Sequence, residues 1–400
     1  MIKRKTYIDE LLKYKDKPFI KVITGMRRTG KSVLMEQFQE MLVSERKIAT
    51  SQVIKINFEL PDSFKIENYQ DLTNYILEKT NKEYKRTYLF FDEIQRVKDW
   101  EKAVNGFHAM GIYDIYITGS NADLLSSELS TYLAGRYVEI KVKPMNFKEF
   151  IKAYQGITQN IEELFNKYII FGGMPSIIAF NLDYSQSMNI LRESFQSAFF
   201  RDVVIKNQIR NTIALDRLIY YVIQHTGKTF SALSISNYFK SEKISFSVDT
   251  VLAYLGYIKS AYLISEVKRI DAVGKKQLAT SEKYYIEDHG IREAVSGNNN
   301  ANIELVLETI IYNELILRGY KVYVGKVKEY EIDFVCIHED HSKSYYQISY
   351  MMPTTETIER EFSPLELIDD SYPKYVLTLD KINFSRNGIK HINIIDFLTE

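Results

Sequence analysis

Gly25-Met26-Arg27-Arg28-Thr29-Gly30-Lys31-Ser32 fills every fixed position of the pattern G-x-x-x-x-G-K-[ST]. An apolar stretch, Phe19 to Ile23, precedes it and an amphipathic one, Val33 to Leu42, follows, so the motif falls where a strand turns into a helix. Glycines at both ends let the backbone wrap an anion, successive N–H groups point inward, and the start of the helix adds partial positive charge. The expected phosphate cradle is Gly25, Arg27, Arg28, Thr29, Gly30, Lys31, Ser32 and Val33. In it Lys31 reaches the β and γ phosphates of ATP and the Ser32 hydroxyl ligates Mg²⁺.

Working outward, a short amphipathic helix over 7–14 leads into the first strand, and Val53 to Phe58 read as a second strand before a helix over 69–79. Tyr88-Leu89-Phe90-Phe91-Asp92-Glu93 is a continuous apolar run ending in two carboxylates, the pattern of a buried parallel strand. Ligands of open α/β sheets sit at the carboxyl ends of the strands, which sends Asp92 and Glu93 to the crevice of the glycine-rich loop. Asp92 is expected to hold Mg²⁺ through its water shell and Glu93 to polarise the water that attacks the γ-phosphate. A helix over 101–110 follows, with Trp100 as a packing anchor.

Tyr113 to Thr118 predict another buried strand, ended by Gly119-Ser120-Asn121 and placed between the loop strand and the Asp92 strand. Ser120 or Asn121 there is close enough to report on the γ-phosphate, and Asn121 is equally suited to cap the helix expected over 122–133. Arg136, at the start of a strand running to Val142, reads either as an arginine finger, in cis or across a subunit boundary, or as a surface arginine.

These motifs resemble the AAA-type ATPases of bacteria and archaea that carry a C-terminal domain of unknown function. The matching residues are the Gly25–Ser32 loop, Asp92-Glu93-Ile94-Gln95, Thr118-Gly119-Ser120-Asn121 and Leu133-Ala134-Gly135-Arg136-Tyr137. Further matches are Pro144 to Phe150, Phe171-Gly172-Gly173-Met174-Pro175 and Glu331-Ile332-Asp333-Phe334, so the resemblance spans essentially the whole chain. It implies a nucleotide fold with an additional strand and a catalytic glutamate, with a sensor role for Asn121 and a finger role for Arg136.

The sequence changes character at Pro144. The fold class expected is α/β: a parallel-sheet P-loop NTPase domain over 1–145, a helical lid over 146–205, a winged-helix domain over 206–296 and a small α/β nuclease-like domain over 301–400. In the lid region helices are predicted over 147–154, 161–170 and 188–206, with Phe171-Gly172-Gly173-Met174-Pro175 as a rigid turn. The winged-helix pattern lies in 229–286, with helices over 234–240 and 247–259 and a β-rich stretch from Ala261 to Ile270. Residues 201–280 hold twelve Lys/Arg against six Asp/Glu in a chain whose Lys+Arg and Asp+Glu both number 52, which makes DNA a candidate partner of this segment alone. Lys268, Arg269, Lys275 and Lys276 are suited to phosphates, whereas Ser247, Asp249, Thr250, Tyr254 and Lys259 on the longer helix are not the usual readers of bases. Protein docking is the other use of such a module.

Gly297 with Asn298 to Asn300 reads as a linker. Beyond it an α-β-β-β-α-β order resembles the core of PD-(D/E)XK nucleases. Asp333 stands at the acidic strand position, and Glu308 or Glu314 on the preceding helix completes an acid set. The third strand reads Gln347-Ile348-Ser349, which lacks the lysine the chemistry needs, with Lys343 and Lys326 as replacements from elsewhere. His338-Glu339-Asp340-His341 reads as a hairpin turn, and Cys336, the one cysteine, as inert core.

A single cysteine, no apolar leader and no stretch long enough to span a bilayer predict a cytoplasmic chain without membrane contact. The function expected is ATP hydrolysis by Lys31, Ser32, Asp92 and Glu93, assisted by Asn121 and Arg136, with a second copy of the chain, as a homo-oligomer, among the candidate partners. The alternatives are a signalling switch that holds ATP with negligible turnover and an ATP-gated, metal-dependent nuclease.

Overall fold

The apolar runs flanking the glycine-rich loop form five strands: β1 Ile20–Thr24, β2 Val53–Asn57, β3 Thr87–Asp92, β4 Tyr113–Thr118 and β5 Tyr137–Lys141. They lie in the order β2-β3-β4-β1-β5 and every pairing is parallel. The computed structural model that reveals them describes residues 2–120, 135–244, 246–272 and 282–400. By its internal contacts the chain divides into two units, Met1–Val142 with Ser260–Tyr262, and Lys143–Lys259 with Leu263–Glu400.

In the first unit β1, β3 and β4 are buried from end to end, as strands covered on both faces must be. The helices that accompany the sheet are α1 Lys5–Tyr14, α2 Lys31–Ser44, α3 Tyr69–Lys79 and α4 Trp100–Met110. Alternate residues of β3 serve opposite faces. Leu89 and Phe91 join Leu72 and Ile76 of α3 and Trp100, Val104 and Phe107 of α4 in one apolar cluster. Phe90 points the other way, stacking on Tyr116 with ring centres 4.7 Å apart and meeting Phe38 of α2 at 6.4 Å.

Lys21 breaks the apolar pattern of β1. Its side chain is wholly buried and its ammonium pairs with Asp114 of β4, itself out of solvent. Asp114 also accepts bonds from the Tyr116 hydroxyl at 3.0 Å and the Asp16 amide at 2.9 Å. Burial pushes the Lys21 pKa below its ordinary value, with the Asp114 charge opposing that shift.

The second unit opens with helices Phe147–Tyr154, Ile161–Phe171 and Tyr184–Ala198. The single helix expected over 188–206 instead starts at Tyr184 and passes into a π-helical turn, Phe199–Ile205, before the helix Thr212–Gln224. Further along are β6 Thr229–Phe230, helices Ala232–Ser241 and Val248–Ser260, β7 Ile264–Val267, β8 Arg269–Asp271 and β9 Glu282–Ile286. The last five strands are β10 Lys321–Val327, β11 Tyr330–Ile337, β12 Lys343–Ile348, β13 Lys374–Thr378 and β14 Ile389–Asn393. They form a mixed sheet, β14-β13-β12-β11-β10-β8, beside a three-stranded antiparallel one, β6-β9-β7. The stretch read as one β-rich segment over 261–270 therefore serves two sheets, because β8 leaves β7 and pairs in parallel with β10.

Two readings of glycine- and asparagine-rich segments change. The 298–300 segment is not a free linker: Asn299 is wholly buried, donates to the carbonyls of Ile169 and His289 at 2.9 and 2.8 Å, and accepts from Arg292 at 2.7 Å. The Gly172-Gly173 pair does more than stop a helix. Asp288 accepts the Gly173 amide at 2.7 Å, and a Cβ on Gly290 would lie 2.1 Å from the Phe171 carbonyl oxygen, so two distant segments cross backbone to backbone.

The buried pair in the first unit yields a stability prediction. Asp114→Ala strands the Lys21 ammonium without its partner and is expected to destabilise the fold by about 3–5 kcal/mol, whereas Asp114→Leu combined with Lys21→Met loses far less. Denaturant unfolding of the first unit's transition in both variants reads the difference.

Candidate functional site

The glycine-rich loop leaves the C-terminal end of β1 and closes at Gly30, whose φ of 90° is left-handed backbone suited to glycine. Gly25 is constrained by space as well as by its φ of 137°: a Cβ there would sit 2.3 Å from the Val142 carbonyl oxygen. Lys31 opens α2, and its buried ammonium donates to the carbonyls of Gly25 and Met26 at 2.9 Å each. The loop is braced from behind by Arg4, a residue the sequence reading did not single out, whose guanidinium donates to the Thr29 carbonyl at 3.2 Å. Arg4 lies 4.6 Å from the centre of the Tyr7 ring, so the residues around the start of α1 steady the cradle.

Asp92 ends β3 and Glu93 follows it in left-handed backbone, φ 55° and ψ 45°, capping the turn Ile94–Arg96. Both acids are buried. Thr118, at the end of β4, donates its hydroxyl to Asp92 and accepts the Glu93 amide at 2.9 Å. Asn57, at the end of β2, donates to the other Asp92 oxygen at 3.1 Å, and Gln95 donates to Glu93 Oε2. Burial raises the Glu93 pKa above its ordinary 4.5, and the charges of Lys31 and Arg27 pull it back down. Ser32 and Asp92 line one cavity of about 270 Å³ together with Asn57, Leu60 and Phe90. A hydroxyl and a carboxylate facing one space are the donors that a hard divalent cation takes, so the residues present fit Mg²⁺.

The remaining expected residues are placed less uniformly. Ser120 is buried just past β4, where the Gly119 amide bonds the Ile23 carbonyl at 3.1 Å, so it lies between the loop strand and the acid strand. Asn121 lies outside the described residues, as do Lys275 and Lys276. Arg136 is not brought to the loop. It is exposed, donates to Asn105 at 2.6 Å, and precedes the β5 residue that pairs with Ile20, at the end of β1 opposite Gly25. About 15 Å of strand separates those two ends.

In the second unit neither Lys343 nor Lys326 reaches Asp333. Lys343 bonds the Ala272 carbonyl at 3.1 Å, and Lys326 is exposed. The lysine that does approach is Lys283 of β9, which pairs with Glu308 at 3.1 Å and Glu331 at 2.8 Å and lies 3.8 Å from Asp333. Burial opposes its charge, but the carboxylates of Glu308, Asp333 and Glu331 outweigh burial and hold its pKa above the ordinary lysine value. Glu314 is elsewhere, paired with Arg318 at 2.9 Å. Among the described residues no group of three or more His, Cys, Asp and Glu side chains is arranged to hold a metal ion. The 338–341 segment is a hairpin turn between β11 and β12, and Cys336 is buried core with its thiol pKa pushed up by burial. Among the described residues no helix is long and apolar enough to cross a membrane.

Sequence comparison places these sites in context. Residues 17–151 match the model of an AAA domain, and residues 162–302 match a domain of unknown function (DUF8612). An uncharacterized protein of Haemophilus influenzae is 36% identical over 403 residues, covering 100% of this chain and 99% of its own length. An uncharacterized protein of Methanocaldococcus jannaschii is 30% identical over 399 residues, covering 94% of this chain and 85% of its own length. Among solved structures, AMPPCP-bound DnaA from Aquifex aeolicus superposes on 63% of this chain and 85% of that chain, with 15% identity and a TM-score of 0.32 that carries no functional weight. The chain, an AAA domain continued by a domain of unknown function, belongs to the family of these two full-length relatives.

Proposed function

We propose that this protein binds ATP with Mg²⁺ and hydrolyses it to ADP and phosphate. The observation that carries the reading is the convergence of Lys31, Ser32, Asp92 and Glu93 at one end of one parallel sheet, with Ser32 and Asp92 sharing a cavity. The loop amides and the Lys31 ammonium receive the phosphates, and Lys31 exchanges its two loop carbonyls for phosphate oxygens. Ser32 and Asp92 would hold Mg²⁺, which supplies charge neutralisation at the β and γ oxygens. Glu93 orients the attacking water and accepts its proton at the carboxylate, and Ser120 and Asn121 read the γ-phosphate.

Because Arg136 sits at the far end of β1, a finger role for it requires a second copy of the chain, and we read the active form as a homo-oligomer in which Arg136 acts in trans. In the second unit we propose a helical lid, a winged helix and a nuclease-like domain. The helices Ala232–Ser241 and Val248–Ser260 beside the β6-β9-β7 sheet support a winged helix, and the excess of Lys and Arg over 201–280 supports DNA as its partner. Gln347-Ile348-Ser349, without a lysine on the third strand, favours a nuclease-like core retained for contact over an active nuclease. Glu93 argues for turnover over a silent ATP switch.

Three outcomes test the reading. Lys31→Ala is expected to lose ATP affinity, while Glu93→Gln keeps affinity and loses turnover by about 10²–10⁴-fold; equal turnover in Glu93→Gln removes that residue from catalysis. A raised Glu93 pKa means that the base takes up its proton earlier on acidification, so kcat is expected to fall through an acid limb above pH 4.5, measurable as a pH–rate profile. Mixing inactive Lys31→Ala with inactive Arg136→Ala should restore part of the turnover, and a mixture that stays inactive excludes a finger in trans.

A further inference from the structure

We propose that Gln95 is a positioning residue for Glu93, an inference that rests on the hydrolytic reading of the site. The backbone of Glu93 is pinned on both sides. Its amide donates to Thr118 at 2.9 Å, and its carbonyl accepts the Arg96 amide at 3.2 Å. The side chain beyond that anchor has three rotatable bonds, and the Gln95 amide donates to its carboxylate at Oε2. One such bond removes rotamer freedom that a buried glutamate otherwise retains. It also leaves Oε1 to receive the proton of the attacking water.

The type of donor matters. A cation in the same place would lower the basicity of Glu93, whereas a neutral amide orients the carboxylate and favours its ionised form more gently. The cation next in sequence to Gln95 is directed elsewhere, since Arg96 pairs with Glu59 at 2.7 Å. The first acid has a similar escort: Asn57 donates to Asp92 at 3.1 Å while its own oxygen accepts the Glu59 amide at 2.8 Å. Each carboxylate of the pair is thus held by one carboxamide. Gln95 itself is exposed and the packing of its turn is carried by buried Ile94 and Val97, so its substitution leaves the core intact.

The test is steady-state ATP hydrolysis by the full chain carrying Gln95→Ala, Gln95→Lys or Glu93→Gln, alongside the affinity for a fluorescent ATP analogue. Gln95→Ala is expected to lower kcat roughly tenfold, with KM and analogue affinity unchanged. Gln95→Lys restores a donor and is expected to recover part of that loss in kcat. An unchanged kcat in Gln95→Ala, with Glu93→Gln inactive, overturns the assignment of Gln95 alone. Absent turnover in the unmodified chain overturns the hydrolytic reading and the role of Gln95 with it, and full turnover in Glu93→Gln removes Glu93 from catalysis and Gln95 with it while leaving hydrolysis standing.

Discussion

The hydroxyl of Thr118 donates to Asp92 and accepts the Glu93 amide at 2.9 Å, so one atom sets the positions of both acids. That bond exists because β4 lies between β1 and β3, placing its last residue against the ends of both neighbours. Around it four of the five strand ends deliver polar groups: the loop from β1, Asn57 from β2, the acids from β3 and Thr118 with Ser120 from β4. The site is therefore a property of strand order. A parallel sheet concentrates its chain ends on one edge, and the apolar interior behind that edge keeps the carboxylates dry enough to raise the pKa of Glu93.

The opposite edge of the same sheet shows what happens without solvent or ligand to share a charge. Lys21 and Asp114 are both removed from water and depend on each other and on Tyr116 and Asp16 for compensation. Lys283 plays a comparable part in the second unit, where it answers Glu308 and Glu331 at hydrogen-bonding distance. In both places a buried lysine closes an acidic position from inside.

Much of the first unit was legible from sequence because its signals are local. The Gly25–Ser32 pattern, the apolar run into Asp92-Glu93 and the Thr118-Gly119 strand end each carry their own meaning within a few residues. Thr118, Asn57 and Arg4 were not legible as site residues, since their roles come from partners 26, 35 and 25 positions away. The location of Arg136 was hidden for the same reason: a motif names a residue type, and only β5 pairing tells which end of the sheet it occupies. In the second unit composition misled. Asparagine and glycine at 297–300 are turn formers by propensity, yet Asn299 uses both of its amide donors and its side-chain oxygen inside the fold. The split of β7 from β8 depends on β10, a strand more than fifty residues further on, which no window of local pattern contains.

The crossing of Gly173 with Asp288 closes a loop of 115 residues. Contacts of that span are reached late in folding, because the chain entropy of bringing the ends together must be overcome before the contact contributes. During synthesis the helices from Phe147 to Phe171 leave the ribosome long before the segment that secures them, and their apolar faces wait for residues 288–299. A second unit not yet closed leaves those apolar faces open, the condition in which chaperones and proteases recognise a chain.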